Sequence, residues 1–171
     1  MPRNIEVKIR VPDLDRIRAA ALAAGASSRG VESQTDRYYE LAGGRRVKLR
    51  VRDAGAAELI RYDRPETRGV RASDYEVTPV RDDDAGACLV PKEAPLSIVR
   101  KRRELLLIEN VRIHLDDVDG LGTFLELEAV VDGVHDDAAC RQQVSFLLDA
   151  LGVAAAEPIR ASYGELLRGT R

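Results

Sequence analysis

The stretch Val111–Val131, VRIHLDDVDGLGTFLELEAVV, decides how this chain folds. Read with a period of two, Arg112, His114 and Asp116 fall on one side of an extended segment, with Val111, Ile113 and Leu115 on the other. Asp119-Gly120-Leu121-Gly122 then carries the residues of a tight turn. Beyond it Phe124, Glu126 and Glu128 share a face, opposed by Leu125, Leu127 and Ala129. Two adjacent strands are predicted, each with an apolar side fit for a core. Their charged sides face either bulk water or an enclosed polar space, and the flanking sequence bears on that choice.

Working outward, Leu96–Ile108 reads as a strand with Val99, Lys101, Arg103 and Leu105 on one face, and Glu109-Asn110 turns it into the decisive pair. Arg71–Val80 sets Tyr75 and Val77 against Asp74, Glu76 and Thr78. Glu58–Arg64 is a strand of ambiguous faces, in which either Arg61 or Arg64 could point inward. Arg45–Arg52 (RRVKLRVR) aligns Arg46, Lys48, Arg50 and Arg52, four cations that repel one another unless solvent or anions compensate them. Glu32–Leu41 is a strand closed by Ala42-Gly43-Gly44, while Asn4–Val11 sets Glu6, Lys8 and Arg10 against Ile5, Val7, Ile9 and Val11.

Helices are predicted over Leu14–Ala24, with Leu14, Ile17 and Leu22 as the apolar stripe, and over Val134–Leu151, with Val144, Leu147, Leu148 and Leu151. Gly25 and Gly152 are their stops. Ser162-Tyr163-Gly164-Glu165 fits a capping box, and Asp82–Glu93, interrupted by Gly86 and Pro91, has room for a short helix only.

At 171 residues the chain is read as one domain spanning 1–171, long enough for a real core. Its 27 Lys and Arg against 29 Asp and Glu argue against a nucleic-acid coat protein. Cys88 and Cys140 stand far apart, without metal-ligand spacing, so neither a disulfide framework nor a thiolate zinc site is expected. The N-terminus lacks a signal peptide's apolar run and no stretch reaches membrane-spanning length, so a soluble cytoplasmic protein is the expectation. Pairing into a homodimer is left open.

Short connections between about eight strands favour an antiparallel sheet. The expected class is mainly β with flanking helices (α+β), the sheet closing into an eight-stranded antiparallel barrel that has no edges and two distinct surfaces. If its interior collects the charged faces, it holds Glu6, Lys8, Arg10, Arg46, Lys48, Arg50, Lys101, Arg103, Arg112, Asp116, Glu126 and Glu128. Such charges cannot share a dry core unpaired. In a wet channel the Lys and Arg side chains suit phosphate oxygens, and the carboxylates are oxygen ligands for Mg2+ or Mn2+. The alternative is a solvent-facing, salt-bridged sheet with no catalytic role.

Asn4-Ile5-Glu6-Val7-Lys8, Arg46-Val47-Lys48-Leu49-Arg50, Lys101-Arg102-Arg103 and the Leu115-Asp116, Gly122, Phe124–Glu128 pattern resemble the CYTH, or triphosphate tunnel metalloenzyme, superfamily. That superfamily includes class IV adenylate cyclases, thiamine triphosphatases and inorganic triphosphatases. The resemblance covers almost the whole chain and implies a triphosphate tunnel. It also implies that Lys8, Arg46, Lys48, Arg50, Lys101, Arg103 and Arg112, with Arg10 beside them, hold the triphosphate of ATP, thiamine triphosphate or tripolyphosphate. Glu6, Asp116, Glu126 and Glu128 would hold one or two Mg2+ or Mn2+ ions, and Glu6, Lys8, Asp116 and Glu126 would take part in catalysis. The family's opening signature is Glu-x-Glu-x-Lys, and here Asn4 stands in its first acidic position, which keeps an acceptor oxygen but loses a charge. The resemblance implies hydrolysis of a triphosphate or, as an alternative, cyclisation of ATP to cyclic AMP and pyrophosphate; a binding protein for phosphate metabolites is the third reading. His114 is left between phosphate contact, proton transfer and a structural hydrogen bond. His135 is expected to be exposed, and Tyr38 and Tyr39 to pack or to line the tunnel mouth.

Overall fold

A computed structural model describes residues 3–41, 45–53, 55–63, 69–81 and 91–169. Its elements are β1 (Arg3–Arg10), α1 (Leu14–Ala23), β2 (Ser27–Leu41), β3 (Arg45–Arg52), β4 (Ala57–Asp63), β5 (Arg71–Val80), β6 (Ser97–Ile108), β7 (Val111–Val118), β8 (Gly122–Val130), α2 (Asp137–Ala150) and α3 (Tyr163–Gly169). The strands close into an antiparallel barrel in the order β1-β5-β4-β3-β2-β6-β7-β8, with β8 returning to β1.

The decisive stretch forms the expected hairpin. Val111, Ile113 and Leu115 pair with Ala129, Leu127 and Leu125, and Gly120 (φ 74°) and Gly122 (φ 90°) supply left-handed backbone at the turn. This apolar side faces outward. Together with Ile5, Val7 and Ile9 of β1 it packs under Ile17 and Ala21 of α1 and Val144 and Leu147 of α2. The main core therefore lies outside the barrel wall, between sheet and helices, which leaves the inner face to polar side chains. A second apolar cluster of Tyr38, Val99, Val118, Leu121, Phe124 and Tyr163 forms where α3 docks. The docking is close: a Cβ on Gly164 would lie 2.6 Å from the Ser97 hydroxyl and 2.8 Å from the Tyr38 ring.

Local signals set the helix ends. Asp13 accepts from the Arg16 N–H at 2.9 Å, and Asp136 from Ala139 at 2.8 Å. The expected capping box forms, with the Ser162 N–H donating to Glu165 at 2.7 Å and the Glu165 N–H to the Ser162 hydroxyl at 3.2 Å.

Several boundaries differ from expectation. β2 begins at Ser27 rather than Glu32, because β6 is long enough to pair with its polar start across an irregularity at Ser28/Gly30. In α1 Ala21 is buried and Leu22 is 48% exposed, so the stripe turns away from Leu22. α2 starts after Val134, which is 84% exposed in a turn held by the Asp132 carboxylate. Arg61 lies on the outer face, 3.5 Å from Glu76. The turn at 42–44, the connection at 64–68 with Arg64, and the segment 82–90 with its expected helix and Cys88 lie outside the described residues. Among the described residues no helix is long and apolar enough to cross a membrane.

Candidate functional site

The charged faces of separate strands surround one space. A cavity of about 280 Å³ is lined by Asn4, Glu6, Glu32, Gln34, Lys48, Arg50, Arg52, Glu58, Arg103, Arg112, His114 and Glu128, with Ile60, Tyr75, Val77 and Leu105 as an apolar wall. A smaller one of about 50 Å³ lies against Tyr163 and adds Lys8, Lys101 and Glu126 while sharing Lys48, Arg50, Arg103 and Glu128. The two adjoin across these four shared residues and together make up the polar interior, or tunnel, of the barrel. Seven cationic side chains, Lys8, Lys48, Arg50, Arg52, Lys101, Arg103 and Arg112, meet five carboxylates, Glu6, Glu32, Glu58, Glu126 and Glu128, in these linings. Asp36 and Asp116, packed behind these cations, bring the acids to seven as well, so the site holds matched charges of both signs.

Behind the linings sit two fully buried carboxylates that fix the cations in place. Asp116 binds Arg103 through both oxygens at 2.6 Å and accepts from the Tyr163 hydroxyl at 2.8 Å. Asp36 binds Arg50 in the same two-pronged way, at 2.7 and 2.8 Å. Lys101 lies between the two acids, 3.8 Å from Asp36 and 3.7 Å from Asp116, with Lys48 3.7 Å from Asp36. The tail segment covers this end, the Tyr163 ring lying 4.2 Å from the Lys8 ammonium and 5.0 Å from that of Lys101.

Burial works against both acid charges, but Arg103 and Lys101 hold the Asp116 carboxyl well below the usual range, and Arg50, Lys48 and Lys101 do the same for Asp36. For Lys101 burial and then the Arg103 charge dominate, bringing its ammonium down to about 8 despite the neighbouring acids.

The acids toward the larger cavity are arranged differently. Glu6 accepts from Arg71 at 2.9 Å, and Arg71 also donates to the Arg160 carbonyl at 2.8 Å. Glu126 accepts from Arg103 at 2.8 Å and lies 3.9 Å from Lys8; burial works against its charge, but Lys8, His114 and Arg103 together keep that carboxyl well below its ordinary value. Glu128 is 3.8 Å from Arg112, and Arg112 donates to the Tyr75 hydroxyl at 3.1 Å. His114 stands between the last two acids, 3.9 Å from each, and burial lowers its pKa. Donor atoms of His114, Glu126 and Glu128 all lie within 4.8 Å of one another, so among the described residues this trio is the group that could close on a divalent cation.

Of the residues expected in the site, Glu6, Lys8, Lys48, Arg50, Lys101, Arg103, Arg112, Glu126 and Glu128 face the tunnel. Asp116 points the same way but is 0% exposed behind Arg103, with both oxygens bonded to that guanidinium. Arg10 is exposed at the end of β1, donating to the Leu121 carbonyl and lying 4.6 Å over the Phe124 ring, away from the linings of both cavities. Arg46 sits outside the tunnel near α3, 3.0 Å from Glu165. Sequence reasoning missed Asp36, Arg71 and Tyr163. Asp36 and Arg71 are in phase with inward neighbours, but only the strand registers bring them to Arg50 and Glu6; no signal marked the Tyr163 ring as a tunnel wall.

The CYTH domain family model matches residues 2–163. A protein of Methanocaldococcus jannaschii named as a candidate adenylate cyclase is 26% identical over 172 residues, covering 95% of this chain and 97% of its own. A solved structure from Pyrococcus horikoshii OT3 superposes with a TM-score of 0.81 at 24% identity, covering 95% of this chain and 98% of that one. A Hippeastrum protein, described as a candidate adenylyl cyclase with a dominant triphosphatase activity, superposes at 0.65 with 16% identity, covering 98% and 96%.

Proposed function

The chain belongs to the CYTH domain family, and from that premise we propose that its tunnel binds a triphosphate together with a divalent cation and hydrolyses it. The observation that carries this reading is the convergence of Lys8, Lys48, Lys101, Arg50 and Arg103 beside the His114, Glu126 and Glu128 group. Glu126 and Glu128 would hold the cation, Mg2+ or Mn2+, which when bound supplies charge neutralisation at phosphate oxygens and activation of a water. The protein's own part is positional. Arg50 and Arg103 each spend Nε and Nη2 on a buried acid, so their remaining edges are presented to the tunnel in a fixed orientation. The lysine ammoniums, held beside buried acids, are point charges that stabilise the charge moving onto the leaving phosphate.

The second reading is cyclisation, in which the 3′-hydroxyl of ATP attacks the α-phosphorus and pyrophosphate leaves. The apolar wall of Ile60, Tyr75, Val77 and Leu105 in the larger cavity favours it, because a base could lie there, and the M. jannaschii relative's name agrees. Hydrolysis asks less of the site, since only the phosphate end needs fixing, and that is where the buried pairs lie. Product analysis with ATP, thiamine triphosphate and tripolyphosphate decides. Metal-dependent phosphate release is expected; cyclic AMP with pyrophosphate selects the cyclase, and no metal-dependent product leaves a phosphate-metabolite binding protein.

Two results should accompany binding. Lys48→Ala should weaken tripolyphosphate affinity roughly tenfold by calorimetry, because Lys48 borders both cavities while resting 3.7 Å from Asp36. Wild-type affinity in that variant would count against the phosphate path. Lys101 adds a pH dependence. An anion beside it favours its charged form, so the affinity it contributes is present below about 8 and fades as pH rises past that value. A Lys101→Arg variant should lose this fall, and matching pH profiles would show that Lys101 does not meet the phosphates.

A further inference from the structure

We propose that His114 is itself a ligand, and that His114, Glu126 and Glu128 form a mixed nitrogen and oxygen site that selects a first-row transition-metal dication over Mg2+. The inference rests on reading the tunnel as a site for a divalent cation, and it goes beyond that reading in naming a third ligand and a preference.

The geometry around the imidazole is the argument. His114 is 6% exposed, and its Nδ1 is buried with no hydrogen-bond partner. Leaving such an atom unpaired in a protein interior is costly, so it calls for an explanation. The atom faces Glu126 Oε2 and Glu128 Oε1, each at 3.9 Å. That is too long for a hydrogen bond. It matches the roughly 3–4 Å between donors that share one dication at about 2.1 Å each. Glu126 Oε2 also accepts from Arg103 at 2.8 Å, which uses one of its lone pairs and orients the other.

The competing acids are committed elsewhere. Asp116 gives both oxygens to Arg103, and Glu6 carries the Arg71 guanidinium at 2.9 Å. Asn4, the other β1 side chain in the cavity lining, brings no charge. Glu32 and Glu58, also in the lining, share the Arg52 guanidinium, and among the described residues the set of three such donors that converges is the β8 pair with the His114 ring. Imidazole suits borderline transition ions, whereas Mg2+ favours oxygen and sheds its waters reluctantly. A nitrogen in the set therefore tilts the choice away from Mg2+.

The test uses the whole chain without any triphosphate. Calorimetric titration should give Co2+ an affinity at least tenfold above that of Mg2+, and His114→Asn should reduce that ratio at least tenfold. Electron spin-echo envelope modulation on the Mn2+-loaded wild-type protein should show a nitrogen coupling that changes on 15N-histidine labelling. His135, the one other histidine, lies in an outer turn beside Asp132, so His135→Gln should keep the signal. The isotope readout needs no substitution at His114 and stands even if His114→Asn fails to fold. An absent nitrogen coupling, or an unchanged Co2+/Mg2+ ratio in folded His114→Asn, overturns the proposal. A nitrogen-ligated ion in a protein that releases no phosphate would keep this site and remove the hydrolase; phosphate release without nitrogen coupling would do the reverse.

Discussion

Asp116→Asn should destabilise the protein by about 3–5 kcal/mol, making it the most damaging polar substitution in the barrel. At 0% exposure the carboxylate offers both oxygens to Arg103 at 2.6 Å, takes the Tyr163 hydroxyl at 2.8 Å and stands 3.7 Å from Lys101. Asparagine keeps the shape but turns an amide N–H₂ toward a group that can only donate. It also leaves Arg103 with Glu126 as its remaining acid while Lys101 is still beside it. At roughly 2–4 °C per kcal/mol for a chain of this length, the melting temperature should fall by about 10 °C. Denaturant unfolding at pH 7 measures it. A metal-ligand role for Asp116 makes the opposite prediction, with cation binding lost and stability almost unchanged. The acid limb adds a check. The folded carboxyl titrates well below its unfolded value, so its contribution is complete above the unfolded value near 4 and is lost as pH falls toward the folded one. The gap between wild type and variant should therefore narrow in acid; a loss under about 1 kcal/mol at pH 7 would show that the pair is not anchoring the tunnel.

The fate of Asp116 marks the boundary of what a sequence can show. Period two in Val111–Val131 placed Arg112, His114 and Asp116 on one face, and the structure has them there because Ile113, Leu115, Leu125 and Leu127 are needed under α1 and α2. That alternation is local, and so it was legible. Which cation an acid meets is set by register between strands distant in sequence. Nothing in the β7 pattern says that Asp116 lies opposite Arg103, or that Asp36 lies opposite Arg50. Arg10 shows the same limit along the strand axis: it is in phase with Glu6 and Lys8, yet at the last position of β1 it reaches the Leu121 carbonyl and the outside. Arg71 was hidden in the same way as Asp36. It opens β5 in phase with Tyr75 and Val77 of the cavity wall, so its face can be read but its partner cannot, and only pairing with β1 brings it to Glu6.

Glu128→Gln should lower metal-dependent turnover at least roughly a hundredfold while changing stability by less than about 1 kcal/mol. The two effects separate because of where Glu128 sits. Its side chain is 16% exposed to the tunnel and its nearest cation, Arg112, is 3.8 Å away, so no buried charge is stranded when the carboxylate becomes an amide. What disappears is one of the two carboxylates in the proposed cation site, beside the cations that line the tunnel. Glu126→Gln is the informative contrast. Glu126 is also bonded to Arg103 at 2.8 Å and lies 3.9 Å from Lys8, so its loss should depress turnover and stability together. Phosphate release measured under saturating Mg2+ and again under saturating Mn2+, beside thermal unfolding of the same samples, reads both quantities. Unchanged turnover in both variants would remove the β8 carboxylates from the chemistry. Equal stability losses in both would instead mean that Glu128 is as deeply committed to the charge network as Glu126, and that the tunnel's acids are structural throughout.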